Sequence, residues 1–446
     1  MTERTELAGG IDHSLATAAR VLASVAEDGR SLDWALLAER ERPGGAATRA
    51  IATGAVRWYL RLAPLLDRLT DQPLDPTLRS LLICALHQLE YSRTPAPTIV
   101  SRAVEAGRLA GHARAAGLIN AILRRFLRER ETLIAPIDGR LAGRTAHPAW
   151  LVDRLVADWG EARTAELLDA NNAHPPMTLR VNRLKTSVEA FRVKASLAGI
   201  VASAVQWAPD ALILDRGRNV QKVPGFFEGE VSVQDAGAQL APPALACGAG
   251  MRVLDTCAAP GGKTGHLLEH TPRIGELVAN DLSRARLKRV AENLDRLGLR
   301  ATLTAFDART LRGLGGSDFE RVLVDAPCSG TGVIRRHPDI KLLRRSADLE
   351  AMVAIQNEIL EAAFSRLRAG GRLLYVTCSV VQQENEGVVR GFLTRHRNAR
   401  PGGFEHSMLL PPDAICFESA FQMLPGSRSD TDGFYYACIE KTTTGI

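Results

Sequence analysis

The chain has 446 residues, 46% hydrophobic and 24% charged, a globular composition that excludes a disordered or fibrous protein and allows two or three domains. Lys plus Arg stands at 56 against 50 for Asp plus Glu, a modest basic excess compatible with a polyanionic partner and far from histone-like. The seven cysteines are odd in number, widely spaced and without a Cys-x-x-Cys pair, so reduced thiols are expected rather than a disulfide framework or a metal site.

Met1 to Gly10 is too polar for a signal peptide, and no stretch approaches the ~20 apolar residues of a membrane span, so a soluble cytoplasmic protein with no membrane partner is expected. From Asp12 to about Arg130 the pattern is helical. Leu78, Leu81, Leu82, Ala85 and Leu89 share one face, as do Leu118, Ile119, Ile122, Leu123 and Phe126. Pro43-Gly44-Gly45, Asp71-Gln72-Pro73 and Thr94-Pro95-Ala96-Pro97 punctuate the helices, which predicts an all-α domain over residues 1–140. Arg124, Arg125, Arg128 and Arg130 form a basic cluster with two readings, a grip on phosphates or a solvated helix end that favours cations.

Residues 141–237 read as a linker helix and a small α+β subdomain. Leu151 to Leu168 is helical, Met177 to Asn182 a strand, Val188 to Leu197 a helix, and Ala211 to Leu214 and Glu230 to Val233 are short strands. Over residues 238–446 strands and helices alternate. Strands are expected at Arg252–Asp255, Glu276–Asp281, Ala301–Phe306, Arg321–Val324 and Arg372–Val376, with helices at Gly262–His270, Arg284–Leu297 and Ala351–Leu367. Such alternation predicts an α/β, Rossmann-like, mostly parallel and doubly wound sheet. Ligands bind such sheets at the carboxyl ends of the strands. Cys257, Asp281, Asp307, Asp325 and Cys378 all fall at such ends, which points to one shared site.

The first strand is not followed by G-x-G-x-x-G, so a nicotinamide or flavin dehydrogenase is poorly supported. Gly262-Lys263-Thr264 matches the end of a P-loop. However, its first glycine would fall on Cys257, and Pro260 removes an N–H that a phosphate cradle needs. Asp281 is placed to accept from ribose hydroxyls and Asp307 from an adenine amino group, unless each merely caps the next helix. Carboxylates around the pocket suit S-adenosylmethionine, which is cationic at sulfur, and would repel a triphosphate.

Three segments, CAAPGGK at Cys257–Lys263, DAPCSGTGV at Asp325–Val333 and TCSVVQQENE at Thr377–Glu386, closely resemble the signature motifs of the NOL1/NOP2/Sun family of RNA cytosine-5 methyltransferases. The Gly332–Lys341 tract, Met177–Leu184 and Asp432–Ala437 are similar to the bacterial branch that modifies one cytosine of 16S ribosomal RNA. The segments His87–Tyr91, Ala103–Ala106 and Asn120–Arg125 resemble the NusB-type helical RNA-binding domain that this branch carries. Two residues depart from the family pattern. Asn280 stands where an apolar residue is usual and Thr256 where leucine is common.

The resemblance implies a class I methyltransferase domain, S-adenosylmethionine as cofactor and an unstacked or flipped cytosine of 16S rRNA as substrate, in naked RNA or a partly assembled subunit, with the protein a monomer. A thiolate adds to carbon 6 so that carbon 5 can attack the sulfonium methyl group, and Asp325 supplies a proton to ring nitrogen 3. The residues alone leave the nucleophile open between Cys328 and Cys378. The family motifs assign it to Cys378 and leave Cys328 to assist breakdown of the adduct. They also place the cofactor on Cys257, Ala258, Ala259, Pro260, Gly261, Gly262, Lys263, Asp281, Asp307 and Asp325. Arg335-Arg336-His337 is a candidate grip on neighbouring phosphates. The competing readings are the same chemistry on transfer RNA and a noncatalytic NusB-like RNA-binding factor.

Overall fold

The computed structural model describes residues 10–39, 45–315, 318–405, 408–426 and 429–442. The polar N-terminal residues and the Pro43-Gly44 break, on which two sequence-based expectations rest, lie outside this set. The chain divides into two compact units, one of residues 1–172 with 336–345, the other of residues 173–335 with 346–446.

The first unit is all helical. Helices Ile11–Ala26 and Pro76–Tyr91 supply much of its core, and Leu81, Leu82, Ala85 and Leu86 are fully buried. The Pro76 helix starts where sequence chemistry says it should. The Asp75 side chain accepts from the backbone N–H groups of Thr77 and Leu78, and Pro76 occupies the first turn, where its missing N–H costs nothing. In helix Ala116–Asp138, Ile119, Ile122, Leu123 and Phe126 are buried, whereas Leu118, predicted on the same face, is exposed. The helix expected over Leu151–Leu168 is two helices, Ala149–Trp159 and Glu161–Asn172, because Gly160 sits at φ +77° and ends the first.

Ten residues of the first unit, 336–345, lie between two stretches of the second in sequence. They are fixed among the helices. Asp339 accepts from the Leu32 N–H at 3.0 Å, the buried Lys341 amine donates to Asn172 at 2.8 Å, and Leu342 and Leu343 pack on the helical core.

The second unit holds two sheets. The smaller is antiparallel, with strands β1 (Thr178–Val181), β2 (Ala202–Val205), β3 (Ala208–Leu214) and β4 (Val231–Val233) in the order β2-β3-β1-β4. Helix Val188–Leu197 packs Phe191 against Leu179, Leu212 and Val231. The larger sheet has parallel strands β5 (Arg252–Asp255), β6 (Glu276–Asn280), β7 (Thr302–Thr304), β8 (Phe319–Asp325) and β9 (Leu367–Thr377). Beyond β9 come antiparallel strands β10 (Ala399–Pro401), β11 (Ile415–Cys416), β12 (Ala420–Met423) and β13 (Phe434–Lys441).

The strand order is β11-β12-β13-β9-β8-β5-β6-β7, with β10 on β13. Both faces are covered, and the pleat sorts side chains between them. Leu254, Val278, Val322, Val324, Leu373 and Tyr375 face one core, while Val253, Leu277, Leu323, Leu374 and Val376 face the other. Chain order reverses between β5 and β8, because β6 and β7 build outward on one side while β8 and β9 build on the other. That reversal opens a crevice at the strand ends, where doubly wound sheets bind ligands. No helix among the described residues is long and apolar enough to cross a membrane.

Candidate active site

Two loops frame the crevice. After β5 the chain enters the Cys257–Lys263 turn, and Gly261, at φ +98°, precedes helix Gly262–His270. Only glycine fits there, since a Cβ would meet Val290 at 3.2 Å in a backbone conformation that L side chains rarely adopt. Asp281, buried just past β6, accepts from the Ala259 N–H at 3.3 Å and the Ser283 N–H at 3.0 Å. It therefore ties the turn to the second strand and shapes the start of the next helix, as the capping reading expects.

At the head of helix Gly262–His270, Lys263 reaches across the crevice to Asp325, the last residue of β8, with Nζ 2.6 Å from Oδ2. Burial alone would depress this amine. The adjoining Asp325 carboxylate outweighs it and, with smaller contributions from Cys378 and Asp255, raises the pKa above the ordinary lysine value. Lys263 thus forms a charged pair with Asp325 and lies close enough to Cys378 to feel its charge. Sequence reasoning left the role of this lysine open.

Cys328, in the loop after β8, and Cys378, at the end of β9, bring their sulfurs to 3.4 Å. The hydrogen bond with Cys378 and burial hold the Cys328 thiol protonated, its pKa pushed well above the usual cysteine value. Cys257 lies in the turn after β5, where the Asp325 carboxylate acts on it. Burial pushes its thiol up to about 12, and the carboxylates of Asp255, Asp325 and Asp281 add to the effect. Asp307, in the segment after β7, pairs its carboxylate with Arg309 at 2.6 Å.

The loops carrying the two thiols are joined by a residue that sequence reasoning quoted in a motif without assigning. Glu384 is fully buried and accepts from the Ser329 N–H and hydroxyl, the Ser379 hydroxyl and the Gln356 amide. Beside it Asn385 accepts from the Thr377 hydroxyl and donates to the Ser379 carbonyl and to Gln422. A buried carboxylate satisfied on every side fixes the loops and with them the sulfur separation. Glu384→Gln sets an amide N–H against these donors and is expected to destabilise the protein by about 1–3 kcal/mol. Thermal denaturation checks this, and an unchanged midpoint would show that Glu384 does not hold the loops.

Three further residues brace the cofactor side. Asn280 donates to the carbonyls of Thr256 and Phe306 and accepts from the Phe306 N–H, so one amide fastens the ends of β5 and β6 to the segment after β7. The amide has a function that the apolar residue usual here cannot supply. The Thr256 hydroxyl donates to the Leu323 carbonyl at 3.0 Å and pins β5 to β8. Arg180 of β1, buried, clasps both oxygens of Glu269 and donates to the Gly262 carbonyl, holding the helix after the turn at both ends.

Asp255 at the end of β5 is buried and accepts from the Thr264 hydroxyl at 2.8 Å. Burial pushes its carboxyl up to about 7, against the pull of that hydroxyl. The folded protein therefore keeps a proton that the unfolded chain releases near pH ~4. The stability linked to this proton is fully present below about pH 4 and is lost as pH rises through about 7. Asp255→Asn is expected to flatten this segment of the curve, measured by chemical denaturation between about pH 5 and about pH 8.

Arg335 corrects an expectation. It is buried and paired with Asp432 at 2.5 Å and Asp430 at 2.9 Å, so it fastens β8's loop to the segment before β13 and does not face RNA. In the first unit Arg125 pairs with Glu129 and Arg130 with Glu90, while Arg124 bonds Asn120 on the helix surface. Carboxylates thus neutralise part of the basic cluster.

A family model described as 16S rRNA methyltransferase RsmB/F matches residues 243–440, an RsmF/B-like ferredoxin-like domain matches 147–221, and the NusB family matches 13–128. The chain is 44% identical over 432 residues to ribosomal RNA small subunit methyltransferase B of Pseudomonas putida, covering 95% of this chain and 97% of that one. It is 42% identical over 440 residues to the protein of the same name from Vibrio cholerae, covering 97% and 98%. The crystal structure of PH0851 superposes with a TM-score of 0.79 at 25% identity over 96% of this chain and 99% of that one.

Proposed function

The chain belongs to the ribosomal RNA small subunit methyltransferase B family, and from that premise we propose that it methylates carbon 5 of an unstacked cytosine in 16S rRNA through a covalent Cys378 adduct at carbon 6. The observation that carries this reading is the thiol pair Cys328–Cys378 beside the charged pair Lys263–Asp325 at the strand-order reversal. The residues present fit S-adenosylmethionine. Asp281 and Asp325 both act on the Cys257 side chain, an acidic surround suited to a cation, and the Gly261 turn leaves the loop without side-chain bulk there. Bound there, S-adenosylmethionine supplies the electrophilic methyl group. Asp281 and the backbone of the Cys257–Lys263 turn would hold it.

Carbon 5 of cytosine is a poor nucleophile until a thiolate adds to carbon 6. Cys378 forms the S–C6 bond, and the electron pair displaced into the ring is met by a proton at nitrogen 3. The Lys263 ammonium is the source of that proton, and the Asp325 carboxylate beside it passes it on to nitrogen 3. Carbon 5, now enamine-like, takes the methyl group. Its own proton then leaves, the S–C6 bond breaks, the C5–C6 double bond re-forms as the nitrogen 3 proton returns to Asp325, and Cys378 is released. Cys328 suits the second proton transfer. Two causes of its raised pKa, the hydrogen bond that Cys328 donates to Cys378 and the charge on that sulfur, vanish once Cys378 is bonded to carbon. The thiol then deprotonates more readily and can accept the carbon 5 proton.

The test is nucleoside analysis of 16S rRNA, unmodified at the outset, after incubation with the protein and S-adenosylmethionine. 5-Methylcytosine at one position is expected. A different methylated nucleoside would overturn the chemistry, and methylation of transfer RNA alone would overturn the substrate.

A further inference from the structure

A second cavity of about 360 Å³ lies in the second unit on the far stretch of the helix that begins at the glycine turn. Its volume falls within the range of small-ligand pockets. Trp207, Leu240, Pro243 and Met408 form apolar walls, and His266, His270, Asp210 and Arg183 supply polar groups. His266 is the informative member. Its ring is 2% exposed, neither nitrogen has a hydrogen-bond partner among the described residues, and Asp210 Oδ2 stands 3.6 Å from Nε2. A buried imidazole with both nitrogens unmet costs free energy unless something else meets them.

The chemistry of the cavity selects its occupant. Burial, with Arg180 nearby, lowers the His266 pKa to about 3, so the ring is neutral and offers one donor and one acceptor. Asp210 is acceptor-only and anionic, paired with Arg183, which is half exposed at the rim. A carboxylate and a neutral imidazole in an apolar pocket disfavour a phosphate and suit a planar heterocycle that bears an amino group. Phosphate is matched only at the rim, by Arg183.

Position supplies the connection to catalysis. Lys263, His266 and His270 lie at i, i+3 and i+7, on one face of the helix. His266, which lines the cavity, therefore follows the lysine that holds Asp325 by about one turn, ~5 Å along the helix axis. Resting on the RNA-methyltransferase reading above, we propose that this cavity is a base-recognition subsite that takes an unstacked nucleobase flanking the target cytosine. The base bears an exocyclic amine and is read by His266 and Asp210. Enzymes that act on extruded bases set sequence context through such flanking contacts.

The first experiment measures steady-state methylation of an rRNA fragment by wild type, His266→Leu and Asp210→Asn. It is repeated on fragments in which each base flanking the target is replaced in turn by uracil. For wild type, one uracil replacement is expected to raise KM about 10- to 100-fold, with kcat within about two-fold. His266→Leu is expected to show that rise on the unaltered fragment and no further rise with uracil. Asp210→Asn, which preserves shape, is expected to lose discrimination between the two fragments. Equal KM values for all three proteins on every fragment would overturn the proposal.

Quenching of Trp207 fluorescence by free adenosine, cytidine and uridine, with Trp207→Phe as the blank, reads the cavity without methyl transfer. Quenching by a nucleoside with an amine and not by uridine is expected whether or not the RNA is methylated. Absence of quenching by all three would overturn the subsite even if methylation is confirmed.

Discussion

Cys378→Ala is expected to abolish methyl transfer to 16S rRNA, by about 10⁴-fold or more, because it removes the group that forms the covalent bond. Cys328→Ala is expected to behave differently although the two sulfurs are only 3.4 Å apart. It leaves the nucleophile in place and removes the thiol placed to take the carbon 5 proton, so the RNA should remain attached after one methyl transfer. The readouts are label transferred from radioactive S-adenosylmethionine and a protein–RNA band that survives denaturing electrophoresis. An adduct with Cys378→Ala, or full activity in that variant, would reverse the roles of the two thiols.

The second large effect concerns the Lys263–Asp325 pair. Asp325→Asn keeps the shape and removes the proton carrier, and a loss of about 10²–10⁴-fold in kcat is expected, the usual range for a positioned acid or base. Lys263→Met is expected to fall in the same range, since it removes the ammonium 2.6 Å from Asp325 Oδ2. The double variant should be little worse than either single one, because groups that act as a unit lose their function together. Multiplying losses would show that Lys263 and Asp325 act independently.

Much of the site was legible because it is local. The turn, the two cysteine motifs and Asp281 each follow a strand, and apolar runs alternating with helical periods mark strand ends without knowledge of contacts. The helices Val188–Leu197, Gly262–His270 and Arg284–Leu297 lie where periodicity puts them, the last opened by the Ser283 hydroxyl accepting from the Arg286 N–H. The small sheet was less legible. β2, Ala202–Val205, is a four-residue strand whose burial does not alternate, so it has no period-two signal. β13 was missed for the opposite reason. Tyr435, Tyr436, Ala437, Cys438 and Ile439 are buried in succession, and a run with both faces covered has no amphipathic pattern.

Residues whose partners are distant in sequence were beyond reach. Glu384 works through Ser329 and Gln356, 55 and 28 positions away. Arg335 looked like an RNA contact beside Arg336 and His337, and only the fold shows that Asp430 and Asp432 bury it. Asn280 was noted as a departure from the family pattern, but its meaning lies in two carbonyls more than twenty residues away on either side.

The ten-residue excursion at 336–345 constrains how the gene can be cut and rejoined. A deletion that removes the helices up to Asn172 also strips the partners of Lys341 and Asp339 from a segment that stays behind, leaving a lysine adapted to burial in water beside an unpacked Leu342-Leu343. A chimera that takes its helices from one relative and its sheet from another inherits the same mismatch unless the excursion travels with the helices. The two units are therefore not interchangeable cassettes, and substitutions in the helices should be accompanied by changes in 336–345 when such proteins diverge.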